Sequence, residues 1–257
     1  DIKAGSIITA IDGVKIEAGT DYYPMLAGKA GKATRLGIKG EKKEVVVRPI
    51  SWGRQQELLY KRWVRRNEHM VDSLSGGRIA YVHIEAMNAA SFHEFYKNLL
   101  SEKNRMRDAV IVDTRHNGGG WLHNDVCIAL SGKAYSRYTP RGKFIGNDPF
   151  DRWVKPSCML VCEDNYSNAH GTPWLYKEMG IGKLIGAPIP GTMTAVWWEN
   201  IGQYTFGIPQ VGTRDNRDNY LENQELQPDI ECYITPENML RGIDTQIQTA
   251  VEDLLKK

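Results

Sequence analysis

The sequence predicts an α/β protein. Three observations carry that reading. Two runs, 109–113 (apolar up to its closing Asp113) and 158–162 (apolar throughout), have the length and hydrophobicity of strands buried on both faces. Each run ends in a turn rich in glycine or asparagine and passes into a segment with helical spacing. A closing stretch, 242–255, carries the amphipathic pattern of a helix laid against such a sheet.

The elements run in order. Residues 1–50 read as short strands (7–11, 36–38, 44–47) between glycine turns, with Asp12-Gly13 a tight hairpin turn and a short helix within 22–27. Residues 54–74 are predicted helical. Leu59, Trp63, Met70 and Leu74 form one stripe, Lys61, Arg62, Arg65 and Arg66 the solvated remainder, and Ser75-Gly76-Gly77 the stop. A strand at 78–84 alternates in polarity. The next helix, 91–100, is expected to start with Ser91 as N-cap and Glu94 completing a capping box. Strand 109–113 and its glycine turn lead to a helix over 122–130. Residues 131–156, rich in Gly, Pro, Arg and aromatics, read as a long surface loop of the kind that shapes a cleft. After strand 158–162 a helix is expected over 173–179. Then come a turn and strand at 180–186, a Gly/Pro loop at 188–193, a hairpin from 196–199 and 202–208, a polar turn at 215–219 and a strand at 230–234.

Composition narrows the function. The 33 Lys+Arg against 31 Asp+Glu give a formal charge of +2, so nothing favours nucleic acid as a partner. No apolar run approaches a membrane span. The four cysteines lack paired C-x-x-C spacing and the histidines lack H-E-x-x-H spacing, so no metal and no cofactor is expected; Cys127, Cys158, Cys162 and Cys232 read as free thiols.

The chemistry concentrates in two turns. Glu163-Asp164-Asn165-Tyr166-Ser167-Asn168-Ala169-His170-Gly171 places a serine between a strand and a helix, where the hydroxyl lifts out of the sheet beside unpaired backbone N–H groups. Thr114-Arg115-His116-Asn117-Gly118-Gly119-Gly120 lets backbone amides approach a ligand closely. A nucleophile at Ser167 and oxyanion donors at Gly118, Gly119 and Asn168 together suggest acyl transfer. Glu222 lies among Asn219, Asn223 and Gln224, as a surface carboxylate would. The base stays open: His170, three residues after Ser167, and His116, beside the glycines, are local candidates, with His83 a third. Trp121, Trp197 and Trp198 are candidate pocket walls, though adjacent strand residues face opposite sides, so one of the tandem pair is expected in a core. Asp113 and Arg115 are expected to fix the loop by charge-assisted hydrogen bonds.

These motifs in this order resemble the S41 serine peptidases of the tricorn type. The carrying residues are 113–120, Asn165 to Gly171, Gly180-Ile181-Gly182-Lys183-Leu184-Ile185-Gly186, Glu222-Asn223 ahead of Leu226-Gln227-Pro228-Asp229, and Thr235-Pro236-Glu237-Asn238 with Gly242-Ile243-Asp244-Thr245-Gln246. Ala4-Gly5-Ser6-Ile7-Ile8-Thr9-Ala10-Ile11-Asp12-Gly13 also resembles the middle of a PDZ domain. The resemblance implies a partial PDZ-like β module (1–50), a helical linker (51–77) and a catalytic domain (78–257) with a ClpP/crotonase-like spiral ββα fold. It implies hydrolysis of peptides or unfolded proteins through an acyl-enzyme at Ser167, with Glu222 in a Ser-His-Ser-Glu tetrad, and a homo-oligomer by family analogy. In that family the base histidine and second serine precede the PDZ domain. The chain opens at Asp1 inside the PDZ-like module, so it is expected to be a fragment lacking its base. A two-residue slide of register would place Ala169 at the nucleophile position; the spacing to Gly180-Ile181-Gly182 favours Ser167. A non-catalytic peptide-binding module is the rival reading, and an acyl-CoA enzyme a third. Compartment is undetermined, with cytoplasm slightly favoured over a bacterial envelope.

Overall fold

The computed structural model describes residues 2–256 and divides into two compact units that meet in sequence at Arg65–Arg66. In the first unit, β1 (Ile8–Ile11), β2 (Val14–Lys15), β3 (Thr34–Ile38) and β4 (Val45–Val47) form an antiparallel sheet in the order β2-β1-β3-β4, with α1 (Tyr23–Leu26) between β2 and β3. Asp12 and Gly13 both take positive φ, 47° and 82°, the twist a two-residue hairpin turn needs. Ile11, Leu36 and Ile38 form its small core, with Ile16, Met25, Leu26, Val45 and Val47 packed against them.

The long helix α2 (Trp52–Ser75) crosses the division between the units. Its buried residues are Asn67, Val71 and Ser75, not the expected apolar stripe; Leu59 and Leu74 are exposed. Two of the three buried side chains are polar and bonded: Asn67 Nδ2 donates to the Tyr81 hydroxyl (3.2 Å), and Ser75 Oγ accepts the Ile79 N–H (3.2 Å). A pattern of apolar residues cannot reveal a face that docks through hydrogen bonds.

The second unit is built on a parallel five-stranded sheet. The chain runs β5 (Ile79–His83), α3 (Ala89–Leu99), α4 (Glu102–Arg105), β6 (Ala109–Asp113), α5 (His123–Ser131), a small hairpin of β7 (Ser136–Tyr138) and β8 (Gly146–Asp148), β9 (Ser157–Val161), α6 (Asn168–Glu178) and β10 (Lys183–Gly186). After β10 come the ribbon β11 (Ala195–Ile201) and β12 (Tyr204–Val211), then β13 (Ile230–Glu231), α7 (Pro236–Leu240) and α8 (Thr245–Leu255). The sheet order is β13-β10-β9-β6-β5. Every residue of β6 and β9 is buried, as expected of strands covered on both faces. Alternate residues sort the layers: Val110, Val112, Met159 and Val161 join Phe95, Leu99, Val126 and Leu130 in one core, while α8 packs on β6, β9 and β10 through residues outside that core. No helix among the described residues is long and apolar enough to cross a membrane.

Three expectations are corrected. Helix α3 starts three residues early, because Asn88 Oδ1 takes the Ser91 N–H (2.9 Å); Ser91 lies inside the helix and Glu94 pairs with Lys97 (3.7 Å). Residues 131–156 are not all loop, since the β7–β8 hairpin is pinned by Asp148, which accepts from the Ser136 (2.8 Å) and Tyr138 hydroxyls. Helix α6 begins at Asn168 and runs through Pro173. That proline leaves the Ala169 carbonyl without its helical N–H, and Asn165 Nδ2 supplies the missing donor at 3.0 Å.

Candidate active site

The parallel pairing of β6 with β9 brings their C-terminal ends together, and with them the two turns. Thr114 donates its N–H (3.0 Å) and hydroxyl (2.9 Å) to the Leu160 carbonyl. Tyr166 N–H donates to the Asn117 carbonyl (3.1 Å). The closest approach is at Gly119, φ +93°, where a methyl group would lie 2.7 Å from Ser167 Cβ and 3.1 Å from Asn168 N. Only glycine fits this backbone and this space. Gly118, Gly120, Ser167, Asn168, Thr194 and Glu222 border one cleft of about 500 Å³.

Ser167 holds φ 56° and ψ −121° at the N-cap of α6, yet its side chain makes no cap hydrogen bond. The half-buried serine thus sits strained at a strand-to-helix turn without serving as a cap. Ala169, the alternative register, is fully buried within α6. Behind Ser167, its N–H donates to Thr192 Oγ1 (3.3 Å).

Backbone donors are partly committed. Gly119 N–H donates to Asn117 Oδ1 (2.8 Å) and Gly119 does not border the cleft, so the donor role expected of it does not fit this arrangement. Gly118 and Asn168 border the cleft, and Asn168 N is the first amide of α6, where helical N–H groups lack intrahelical acceptors. The Asn168 side chain is structural: Oδ1 accepts the Leu122 (2.7 Å) and His123 (3.1 Å) N–H groups, capping α5, and Nδ2 donates to His123 Nδ1 (2.8 Å).

Glu222 is no loose surface carboxylate. Its Oε2 accepts from Met193 N (2.6 Å), Thr194 N (2.7 Å) and Thr194 Oγ1 (2.8 Å), holding the strip 192–194 along the cleft. Burial pushes this carboxyl up, but those hydrogen bonds and the nearby His170 outweigh it and leave it below the ordinary 4.5.

Among the described residues bordering the cleft there is no histidine. His170 lies buried in α6, its pKa lowered by burial and its Nδ1 without a hydrogen-bond partner. His116 is exposed, with Nδ1 2.7 Å from Asp164 Oδ2, and Cys162 and then Asp164 raise its pKa to about 9 against the opposing effect of burial. A group protonated at neutral pH cannot accept a proton there. His83 Nε2 contacts the Arg115 carbonyl (3.1 Å) in a part-buried setting, where desolvation lowers its pKa.

The base of the glycine turn is fixed by ions. Arg115, nearly fully buried, donates to Asp113 Oδ2 (2.6 Å), Asp244 Oδ2 (2.9 Å) and Gln246 Oε1 (2.9 Å), and Tyr81 donates its hydroxyl to Asp113 (2.7 Å). Asp244 is also the N-cap of α8, so one guanidinium joins the turn to that helix. Trp121, Trp197 and Trp198 all border the cleft and are 65%, 58% and 69% exposed; neither tandem tryptophan enters a core, because the β11–β12 ribbon pairs with no third strand. Sequence reasoning missed Thr192, Thr194, Asn117 and Asn165. The only signal was their place in the two turns and the Gly/Pro loop.

A parallel sheet carries a strained serine and a glycine bend at its C-terminal edge, an α/β unit, and the profile of Peptidase family S41 matches residues 78–232. The chain belongs to that family. Residues 1–51 match the profile of the tricorn protease PDZ domain. The chain is 27% identical over 277 residues to the tricorn protease of Thermoplasma acidophilum, covering 98% of this chain and 24% of that protein. It is 27% identical over 263 residues to a tricorn protease homolog of Saccharolobus solfataricus, covering 100% and 24%. The crystal structure of the tricorn protease superposes with a TM-score of 0.81 at 27% identity, over 98% of this chain and 25% of that one. The chain thus spans about a quarter of the length of these relatives.

Proposed function

We propose that these residues carry the nucleophile and oxyanion half of a serine peptidase. Ser167 Oγ attacks the substrate carbonyl carbon. The carbonyl oxygen becomes an oxyanion that accepts from Asn168 N–H and Gly118 N–H; the base takes the Ser167 hydroxyl proton and hands it to the amine as the C–N bond breaks, then takes a proton from the attacking water and returns it to Ser167 Oγ as the acyl group is released. Glu222 holds the strip 192–194 and polarises the hydroxyl network rather than attacking. The base is assigned to a segment outside these 257 residues, since no histidine borders the described cleft. The observation that carries the reading is Ser167 itself: strained at φ 56°, free of capping, and touching the glycine bend across Gly119.

The substrate class is peptide or unfolded protein, supported by an open cleft walled by Trp121, Trp197 and Trp198. We further assign the catalytic part, 78–257, to a ClpP/crotonase-type spiral, supported by the parallel βα order, with 51–77 as linker, 1–50 as a partial PDZ-like module, and a homo-oligomer as the working assembly. The test is peptide hydrolysis by the protein containing this chain, wild type against Ser167→Ala. The expected loss is about 10⁶-fold in kcat. Turnover surviving in Ser167→Ala, or peptide binding with no turnover in the wild type, overturns the reading in favour of a binding module.

A further inference from the structure

Outside the cleft, three side chains of different donor chemistry converge at the roots of the same two turns. His116 Nδ1, Cys162 Sγ and an Asp164 carboxylate oxygen all lie within 4.8 Å of one another. Nδ1 is 2.7 Å from Asp164 Oδ2 and 3.9 Å from Cys162 Sγ. The backbone sets this up. Cys162 comes directly after β9 and is buried, its Sγ accepting the His116 N–H at 3.3 Å. His116 takes a left-handed conformation, φ 62°, and so lays its ring over the end of β9. His116 and Asp164 keep exposed side chains, which leaves an entry path.

Here a single nitrogen, Nδ1, faces both the sulfur and the carboxylate, as ligands do around a common centre. One imidazole nitrogen, one thiolate sulfur and one carboxylate oxygen suit a borderline-soft divalent ion rather than Mg²⁺ or Ca²⁺, which demand oxygen shells. With metal–ligand bonds of about 2.0–2.3 Å, tetrahedral edges are about 3.3–3.8 Å. The Sγ–Nδ1 separation of 3.9 Å is already near that range. The Nδ1–Oδ2 contact opens to it by rotation of two exposed side chains.

We propose that His116, Cys162 and Asp164 form a Zn²⁺-type site that clips the glycine bend to the serine turn, with water in the fourth position. On binding, the thiol proton and the imidazolium Nδ1 proton both pass to solvent as the S–metal and N–metal bonds form, and no electron is transferred. The clip acts on both catalytic segments. His116 precedes Asn117, whose carbonyl accepts Tyr166 N–H and whose Oδ1 holds Gly119; Cys162 and Asp164 lead directly into Tyr166-Ser167.

The test is titration of the chelator-washed chain with Co²⁺ alone, then displacement with Zn²⁺. The expected result is one ion per chain, a sulfur-to-cobalt charge-transfer band, ligand-field bands of four-coordinate Co²⁺, and a rise in Tm on adding Zn²⁺. Cys162→Ser should remove the charge-transfer band. His116→Gln and Asp164→Asn, at exposed positions that leave packing intact, should each weaken Co²⁺ binding at least tenfold, while Cys232→Ser changes nothing. Absence of a charge-transfer band in the wild type, its persistence in Cys162→Ser, or unchanged affinity in both His116→Gln and Asp164→Asn overturns the proposal.

Discussion

Replacing Arg115 by Met tests whether the glycine turn is held by buried charge. The guanidinium is about 2% exposed and bridges Asp113 (0%) to Asp244 (3%). Methionine fills much of the same volume but leaves two buried carboxylates without their counter-charge, though Tyr81 still donates to Asp113 and Ile247 N–H to Asp244. Breaking a buried pair in this way costs about 3–5 kcal/mol, a large share of a stability of about 5–15 kcal/mol. At about 1.4 kcal/mol per factor of ten, the amides of β6 and β9 should exchange with solvent deuterium about 10² to 10³·⁵ times faster. Peptide-resolved exchange is preferable to bulk melting, because two compact units need not unfold together. The pH dependence gives a second reading. In the wild type, burial raises the Asp113 carboxyl, but the charge and hydrogen bonds of Arg115 outweigh it and leave its pKa below the ordinary 3.8. A depressed folded pKa contributes stability that is present above the unfolded value and is lost as pH falls through the folded one. In Arg115→Met burial is opposed only by His83 and the Tyr81 hydroxyl, its largest counterweight gone, so the folded pKa rises and the sign reverses: the variant should gain stability as pH falls from 7 to 5. An exchange acceleration under tenfold at pH 7, or a variant that weakens between pH 7 and 5, would refute the reasoning.

Other perturbations probe the remaining contacts. Gly119→Ala forces a methyl to 2.7 Å from both Ser167 Cβ and the Tyr166 carbonyl at φ +93°, so Ser167 must move; displacement of about 1 Å should lower kcat about 10²-fold, measured on a peptide ester. Asn165→Ala orphans the buried Ala169 carbonyl beside Pro173 and should cost about 1–3 kcal/mol, read from exchange of the α6 amides. Glu222→Ala frees the Met193 and Thr194 amides, so limited proteolysis should cut within 190–195 faster than in the wild type. Because the Glu222 pKa lies below 4.5, the wild-type strip should stay protected at neutral pH and loosen only as pH falls through that lowered value.

The buried strands and the two turns were legible because their signals are local. Two apolar pentads fix β6 and β9, and glycine or asparagine punctuation marks the turn after each strand. Which of Ser167 and Ala169 faces the cleft is open in one dimension; in three, Ser167 borders it and Ala169 is buried in α6. The features that stayed hidden depend on pairing across distance. The buried face of α2 docks through Asn67 and Ser75, which carry no hydrophobic signal. Glu222 reads as one acid among amides until its three donors, 28 and 29 residues away, are seen. The start of α6 was placed five residues late because Pro173 is a helix breaker by rule, and only the Asn165 side chain lifts the penalty.

The central claim is that Ser167 Oγ, Asn168 N–H and Gly118 N–H converge on one reacting carbonyl. A crystal structure of the protein containing this chain, after reaction with an alkyl fluorophosphonate, tests it most directly. The account expects a single adduct on Ser167 Oγ with its phosphoryl oxygen about 2.7–3.1 Å from both amide nitrogens. An adduct on another residue, or one on Ser167 whose oxygen turns to solvent away from the glycine bend, would contradict it.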